Sequence, residues 1–413
     1  MSASVSRSIL SFAIGSALIL SACGESTSTT SGPGLEPTPT PDTSFNQKAL
    51  LENIADNIIT PTFAQFESVS AAQIQAVDTY CKMEAMASQG NATSEQVTAL
   101  RNEAKTAWRN TMNVWQQAEL MKVGPLADND GLLRNKIYSW PVVSSCSVDF
   151  EVVNFRAGEV NGQPYNIANR TPSRRGLAAL EYLLFNEQLN HSCTTSTQPD
   201  NWDNQTDEYR KVARCEFAVE VARDINNSSK ELNTAWNGAD GFANTLKSAG
   251  SAGNQFSTEL EAINRISDGM FYIDTFTKDG KLATPLGLLA NNCGSQVCPE
   301  VVESVYAHHS TTHIENNLLA FQKLLTGDAG IGFTNYLIDV GDQSTADTMS
   351  TNVQLAIDGM QAYQASLAET LVNDENQVTT THADIKKVTD QLKVDFITSL
   401  SLELPATSAG DND

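Results

Sequence analysis

The chain has 413 residues, of which 49 are acidic and 26 are basic, so its formal net charge at pH 7 is -23. This charge has the wrong sign for binding nucleic acid or for electrostatic attraction to anionic lipid, and it excludes both as main functions. The length is sufficient for two domains of ordinary size.

The N-terminus has the pattern of an export signal. The apolar stretch at residues 9–20 is too short to span a membrane comfortably and has the length of a signal-peptide core. The Leu-Ser-Ala-Cys sequence at 20–23 resembles the lipobox of bacterial lipoproteins, which implies removal of residues 1–22 and acylation of Cys23. Because Gly24 follows the cysteine, we expect a lipid-anchored envelope protein on the outer membrane, facing the periplasm. An ordinary signal peptide followed by a chance cysteine is the alternative.

Composition divides the rest of the chain. Residues 23–45 are rich in Ser, Thr and Pro and predict a disordered tether, and residues 405–413 predict a disordered tail. A Gly-, Asn- and Ser-rich stretch at 237–254 has few residues that could form a core. We therefore predict an N-terminal bundle over 46–240 and a C-terminal bundle over 241–404.

Apolar residues recur at helical spacing through nearly all of the remaining chain, and alternating strand patterns are scarce. We expect Pro61 to end the first helix. Thr171 is the predicted N-cap of another helix, with Pro172 in its first position. These patterns predict an all-α protein of two packed antiparallel helical bundles. The predicted helical segments are 47–59, 94–122, 204–236, 255–277, 298–326, 346–372 and 377–400.

The chain contains six cysteines besides Cys23, and an even number in an exported protein predicts disulfide bonds. Six cysteines allow 15 pairings, so the connectivity is a hypothesis. A thiolate metal site is the alternative, and it is disfavoured because paired Cys-x-x-Cys spacing is missing. Our hypothesis pairs Cys81 with Cys146, Cys193 with Cys215, and Cys293 with Cys298, the last because five residues are enough to close one loop.

One acidic residue stands out in the apolar segment GLAALEYLLF, residues 176–185. Glu181 lies in the middle of a helix that is otherwise apolar, so we expect it to be buried, and a buried carboxylate needs a cationic partner or a proton. Arg174 is on the same face but about 10 Å of helical rise away. Arg134, which lies among apolar residues, and Lys281 are the better candidate partners.

A second carboxylate is expected to point inward. Glu119 follows Trp115 by one turn on the aromatic stripe of its predicted helix. Together with Glu181 and Arg134 it would form a cation site or a polar ligand pocket. The alternative is a structural ion pair that holds two helices together.

The segment from Gly176 to Phe185 resembles the signature helix of the imelysin family, bacterial envelope proteins that are grouped with metallopeptidases. The resemblance covers residues 46–403 and implies a fold of two packed helical bundles with the site between them. It also implies an association with iron-regulated uptake systems. Further stretches that resemble the family, in the same order, are Asn53-Ile54-Ala55-Asp56, Thr60-Pro61, Trp108 and Trp115 before Glu119, Gly124-Pro125, Ser139-Trp140-Pro141, Lys278 to Leu282, Pro285-Leu286-Gly287, and Asn316-Asn317-Leu318 before Gly327.

The chain departs from the family motif at one position. The motif is Gly-x-His-x-x-Glu, and this chain has Ala178 in place of the histidine. A histidine and a glutamate three residues apart share a helix face and can bind one metal ion, whereas alanine cannot. Because the sequence also lacks a His-Glu-x-x-His motif and a nucleophile elbow, the resemblance implies fold and location more strongly than peptidase activity.

His309 and His313 are four residues apart, a spacing that places both imidazoles on one helix face and suits a transition metal. Ser310 and Asn317 lie along the same face. Together with Glu181, the two histidines could complete a metal site that Ala178 no longer serves. Surface histidines without a ligand are the alternative.

Three hypotheses for function follow. The favoured one is a ligand-binding envelope lipoprotein that holds a metal ion or an iron-bearing species between its two bundles, with no catalytic residue assigned and a divalent metal or iron as the expected cofactor. The second is a zinc-dependent peptidase, and the third is a structural lipoprotein. Expected partners are the membrane, through the lipid at Cys23, and iron-uptake proteins, but no nucleic acid. The candidate ligand-binding residues are Glu181, Glu119, Arg134, Lys281, Asn317 and Ser310, and the candidate metal ligands are Glu181, His309 and His313.

Overall fold

The computed structural model describes residues 43–194 and 196–409, and all of them belong to one compact unit. The predicted signal peptide at 1–22 and the predicted lipidation site Cys23 lie outside the described residues. Among the residues that are described, no helix is both long enough and apolar enough to cross a membrane.

The structure is helical, with a single two-stranded antiparallel hairpin in its described part, and this agrees with the predicted all-α class. Short 3-10 turns connect several of the helices. The elements of the first half are α1 (Gln47–Asn53), a π-helical segment (Ile54–Ile59), α2 (Thr60–Ser88), α3 (Ser94–Leu120), α4 (Asp128–Ile137), α5 (Ser145–Ala157), β1 (Glu159–Val160), β2 (Gln163–Pro164), α6 (Gly176–Phe185) and α7 (Asp207–Asn237).

The second half begins with short helices and continues into longer ones that pack against each other. A π-helical segment again interrupts it in two places. Its elements are α8 (Phe242–Lys247), α9 (Glu259–Met270), a long π-helical segment (Ile273–Ala283), α10 (Thr284–Leu286), α11 (Ser310–Thr326), α12 (Phe333–Asp339), α13 (Gln343–Gln361), α14 (Leu367–Asn373), α15 (Glu375–Gln391), a short π-helical segment (Leu392–Phe396) and α16 (Ile397–Leu400).

Two groups of helices share one core. In the first group α2 packs against α3 and α7, and α6 packs against α7 and α3; in the second group α13 packs against α11 and α15. Helix α3 also packs against α11, so it joins the groups. Trp108, Met112 and Trp115 of α3 are completely buried, and the ring of Trp108 lies 6.2 Å from that of His313 on α11. A Thr93–Gln96 capping box starts the helix.

The predicted division after residue 240 stays a prediction. Helix α1, at the start of the first half, packs against α8 and α9 of the second half. The first helix of the described chain therefore packs against helices that lie beyond residue 240.

Several predicted helix boundaries are wrong, and the segment predicted at 346–372 is divided between α13 and α14. Pro61 does not end the first helix, because a π-helical segment leads directly into α2, where Pro61 occupies the first turn. Pro172 begins a 3-10 turn, and α6 starts only at Gly176. Residues 302–309 are not helical, and α11 begins at Ser310.

The disulfide bonds differ in part from the predicted pairing. Cys293 pairs with Cys298, as expected. The other two pairs are exchanged relative to the hypothesis, because α2 lies beside α7 and the start of α5 lies beside the loop that follows α6. The observed pairs are Cys81–Cys215 and Cys146–Cys193.

Candidate functional site

Gly176, the first residue of α6, lies in close contact with the backbone at the end of α4. Gly176 has a φ of +75°, and a Cβ atom there would lie 2.5 Å from the carbonyl oxygen of Ile137. Only glycine combines this conformation with so close an approach. One residue later, the carbonyl oxygen of Leu177 accepts a hydrogen bond of 3.0 Å from Nε1 of Trp108 on α3. These contacts fix the position of Glu181 on the helix.

Glu181 is buried, as expected, with 4% of its surface exposed. Its Oε1 atom accepts three hydrogen bonds from the segment that precedes α11. The donors are the Ser304 hydroxyl at 3.0 Å, the Tyr306 amide at 3.1 Å and the Ala307 amide at 3.0 Å. The second carboxylate oxygen, Oε2, accepts no hydrogen bond from the described residues. The first half of the chain is thereby joined to the second at this carboxylate.

Each predicted cationic partner of Glu181 is paired with a different carboxylate. Arg174 contacts Glu151 at 2.9 Å, and Lys281 contacts Glu303 at 3.1 Å. The third candidate, Arg134, pairs with Glu119 in a buried ion pair. No described Lys, Arg or His forms an ion pair with Glu181.

The chemistry of Glu181 reflects these neutral surroundings. Burial raises its pKa to about 7, although the hydrogen bonds from Ala307, Ser304 and Tyr306 act in the opposite direction. The nearby negative charge of Glu303 raises it further. At neutral pH this carboxyl group is therefore poised between its neutral and its charged form.

Glu303 is the centre of a second cluster, and sequence reasoning missed it. Its Oε2 atom contacts Lys281 Nζ at 3.1 Å and His313 Nδ1 at 3.0 Å. Its Oε1 atom accepts hydrogen bonds from Gln116 at 3.0 Å and from the Tyr138 hydroxyl at 3.1 Å. Burial alone would raise the pKa of Glu303, but Lys281 and His313 outweigh it and lower the pKa to about 2.

Amide side chains complete this cluster. Lys281 is fully buried and donates to Gln116 Oε1 at 2.6 Å and to Asn317 Oδ1 at 2.7 Å. Asn317 in turn donates to the Gln116 backbone carbonyl at 2.8 Å. Burial lowers the pKa of Lys281, and the charge of Glu303 opposes this shift. The predicted residues Lys281 and Asn317 thus lie together, in a network that ties α3 to α11.

The two histidine rings lie side by side in a T-shaped arrangement, with their centroids 5.3 Å apart. His309 is the N-cap residue of α11, and its Nε2 atom lies 2.9 Å from Asn113 Oδ1. Burial lowers the pKa of His309 to about 3. His313 lies one turn later, is fully buried and faces Glu303, so the alternative of surface histidines is wrong for it.

Glu181 does not join His309 and His313 in a cluster of three ligand atoms among the described residues. Among the described residues, the only three His, Cys, Asp or Glu side chains with ligand atoms within 4.8 Å of one another are Cys293, Cys298 and Glu300. The two cysteines of that group form a disulfide bond, which removes their thiolates as ligands. Glu181, His309 and His313 therefore do not form the donor set that a bound zinc ion needs.

Ser310 supports the segment that binds Glu181. It is 2% exposed, and its hydroxyl accepts a hydrogen bond of 3.1 Å from the Ser304 amide. Glu119 lies apart from this segment and is fully buried beside Arg134. The predicted ligand-binding residues therefore fall into three neighbouring groups, around Glu181, Glu303 and Glu119.

An open cleft of about 720 Å³ lies directly beside Glu181. Its walls come from α6, the loop that contains Trp140, the long π-helical segment and the loops before α11. Among its lining residues, three are glutamates and none is Lys, Arg or His. Ala178 also lines it. The charged and aromatic lining residues are Glu181, Glu300, Glu303, Trp140, Tyr182, Phe276 and Tyr306.

The signal that could have found Glu303 was present in the sequence. The segment Val301-Val302-Glu303-Ser304-Val305 places one carboxylate in an apolar run, which is the pattern that singled out Glu181. The roles of Gln116 and Tyr138 have no such signal, because a neutral polar residue on a helix face is compatible with solvent exposure as well as with burial.

Comparison with known proteins gives consistent matches. The Imelysin family model matches residues 59–394. Iron-regulated protein A from Synechococcus elongatus is 23% identical over 271 residues, which are 65% of this chain and 61% of that protein, so the chain spans less than two thirds of this curated relative.

Two solved structures share the fold. One is a candidate iron-regulated protein A precursor from Parabacteroides distasonis, with 18% identity and a TM-score of 0.64, and the match covers 88% of this chain and 96% of that one. The other is an Imelysin-like protein from Psychrobacter arcticum, with 16% identity and a TM-score of 0.63, covering 88% and 99% of the two chains.

Proposed function

The chain belongs to the Imelysin family, whose model matches most of its length, and from this premise we propose that it binds a cationic ligand, a metal ion or an iron-bearing species, in the cleft beside Glu181. The observation that carries the proposal is a carboxylate that is 4% exposed, borders the cleft and has no cationic partner among the described residues. A buried charge of this kind is costly unless a counter-ion or a proton accompanies it.

The arrangement of the neighbouring cations supports this assignment. Lys281, Arg134 and Arg174 are each held by another carboxylate, so none of them is available to neutralise Glu181. Its Oε1 atom is fully used by the segment before α11, while Oε2 is left for a ligand. A cation in the cleft would supply the missing partner.

The names of the relatives suggest which cation to test first. Two of them are named iron-regulated proteins, so iron is the first metal to test. For this chain we propose the corresponding role in the bacterial envelope, with the protein held at the outer membrane by a lipid on Cys23 and with iron-uptake proteins as partners.

Metal binding by the full-length lipoprotein tests the proposal. Protein purified without added metal is subjected to elemental analysis and then to equilibrium dialysis against iron(II), under anaerobic conditions, and against zinc(II). We expect Glu181→Gln to weaken binding roughly tenfold or more. Binding by the wild type should also weaken as the pH falls below about 7, because protons then compete for Glu181.

A matched variant separates this effect from a general loss of acidic charge. Glu103→Gln removes one exposed carboxylate of α3 and should bind metal as the wild type does. Equal binding by wild type and Glu181→Gln at pH 8 would refute the proposed site.

A further inference from the structure

Apolar side chains are exposed on two loops at the cleft. Val142 and Val143 have 71% and 46% of their surfaces exposed, and they follow Trp140 and Pro141, which line the cleft. Leu288 and Leu289 have 59% and 41% exposed, and they directly precede Ala290, which lines the cleft on its other loop. We call these four side chains the apolar rim.

The exposure of these side chains is unfavourable, and a ligand that covers them would bind more tightly for that reason. Large aliphatic side chains in water carry an unfavourable hydration free energy, which is released when an apolar surface covers them. Adjacent pairs of exposed aliphatic residues beside a concave site are typical of binding surfaces, whereas single ones are common on any protein.

The size of the cleft argues against a bare ion as its natural occupant. Six water molecules around a metal ion occupy about 180 Å³, whereas the cleft has a volume of about 720 Å³. Clefts of this size usually hold organic molecules. A hydrated ion would therefore fill only about a quarter of the cleft.

The charges of the lining residues indicate whether a ligand in the cleft should be cationic or anionic. Glu303 is neutralised by Lys281, but Glu181 and Glu300 have no cationic partner among the described residues. Glu181 is also more than nine-tenths buried, and it lines the cleft. An anionic occupant would find no positive side chain on these walls and would be repelled by both glutamates.

From these observations we infer that the ligand is a metal complex with a net positive charge and an apolar organic shell, rather than a bare ion or an anionic complex. The inference rests on the proposed function and narrows it to one chemical class. The cationic group of the complex lies near Glu181 and Glu300, and its methylene or aromatic surface covers the apolar rim and the ring of Tyr306.

Three iron(III) complexes of similar size distinguish the possibilities by isothermal titration calorimetry with the full chain. The first is a linear trihydroxamate complex with one free ammonium group and a net charge of +1. The second is the same complex with the amine acetylated, so that its charge is 0, and the third is a tris-catecholate complex with a charge of -3. We expect the cationic complex to bind roughly tenfold more tightly than the neutral one, and the trianion not to bind.

Variants of the apolar rim test the second half of the inference. Val142→Ser combined with Leu288→Ser should weaken binding of the cationic complex by about tenfold and leave binding of bare iron(II) unchanged. The matched control combines Leu355→Ser with Val394→Ser, which are 51% and 60% exposed on α13 and the last π-helical segment, and should have no effect.

The results separate a failure of the inferred ligand class from a failure of the proposed function. If bare metal ions bind in a Glu181-dependent way and none of the complexes does, the proposed function stands and this inference is wrong. Tighter binding of the neutral or the anionic complex than of the cationic one overturns it as well. If neither ions nor complexes bind, the proposed function fails together with the inference.

Discussion

The pKa values of two neighbouring buried glutamates are shifted in opposite directions. Glu303 lies against Lys281 and His313, and its pKa is lowered to about 2. Glu181 receives only neutral hydrogen-bond donors, and its pKa is raised to about 7. The difference arises from the charge of the partner groups, since both side chains are removed from water. Glu303 therefore stabilises the fold as an ion, whereas Glu181 destabilises it whenever it is ionised without a ligand.

The stability of the ligand-free protein should reveal this penalty. The pKa of Glu181 is about 4.5 when unfolded and about 7 when folded, so the folded state binds the proton more tightly between these values. The free energy of unfolding should therefore lose a contribution as the pH rises from 4.5 to 7 and lose no more above pH 7. Glu181→Gln, which keeps the acceptor oxygen, should be more stable than wild type by roughly 3 kcal/mol at pH 8 and equal to it near pH 4.5.

Denaturant unfolding of both proteins at several pH values measures this difference. His309, with a folded pKa of about 3, contributes a slope of opposite sign, because its unfolded form binds the proton more tightly near pH 6. That contribution is present in both proteins and cancels in the comparison. A stability difference that does not change with pH would contradict the assigned burial of an unpaired carboxyl group.

The partners of Glu181 illustrate what could not be predicted from single residues. The apolar run around Glu181 was sufficient to predict its burial, because hydrophobic periodicity depends only on local sequence. The choice among Arg134, Arg174 and Lys281 was not predictable, because every buried cation can pair with any carboxylate that the fold brings near. The fold brings Glu119, Glu151 and Glu303 to them instead.

At the scale of single elements, the start of α6 is the most constrained point near the site. Gly176→Ala should destabilise the protein by about 3 kcal/mol or more, because it combines a left-handed residue with a Cβ atom 2.5 Å from the Ile137 carbonyl oxygen. The change should also displace Glu181 and weaken ligand binding. Thermal and denaturant unfolding measure the first effect, and calorimetric titration measures the second.

Gly162 is a matched control for this substitution. It has the same φ of +75°, but a Cβ atom there would meet no other atom within 4 Å. Gly162→Ala therefore isolates the conformational cost, which is about 1 kcal/mol. Equal destabilisation by both variants would show that the approach of α6 to Ile137 is not the limiting contact.

The π-helical segments set the limit of prediction at this scale. The existence of most long helices follows from their apolar spacing, as in α3 and α7. The spacing does not distinguish an α-helical turn from a π-helical one, so the segment Ile273–Ala283 could not be anticipated. It places Lys281 in the buried cluster and Gly280 beneath Trp140, where a Cβ atom would be 2.9 Å from the ring. The position of Lys281 in the site could therefore not be predicted, because it depends on this π-helical segment.

At the scale of the whole molecule, the disulfide connectivity depends on which helices are neighbours. The cysteines themselves predicted three bonds, and the short spacing of Cys293 and Cys298 was enough to pair them. The other four cysteines are distributed over α2, α5, the loop after α6, and α7. Their pairing requires knowledge that α2 lies along α7, and helical periodicity alone gives no information on the order of helices in a bundle.

The same connectivity predicts the order in which the three disulfide bonds contribute to the free energy of unfolding. A disulfide bond stabilises mainly by restricting the unfolded chain, and the effect increases with the length of the loop that it closes. The loops span 134, 47 and 5 residues, which correspond to about 5, 4 and 2 kcal/mol. Replacing Cys81 and Cys215 by Ala should therefore lower the free energy of unfolding most, and replacing Cys293 and Cys298 should lower it least.

Denaturant unfolding of the three double variants measures this order, and a change of ligand affinity can be followed in parallel. The short loop between Cys293 and Cys298 follows Asn292 of the cleft wall, so its removal should weaken binding of the cationic complex more than its small stability effect suggests. The bond between α2 and α7 is expected to behave in the opposite way, with a large effect on stability and none on affinity. If the Cys293–Cys298 variant proves the least stable of the three, restriction of the unfolded chain is not the main contribution of these bonds.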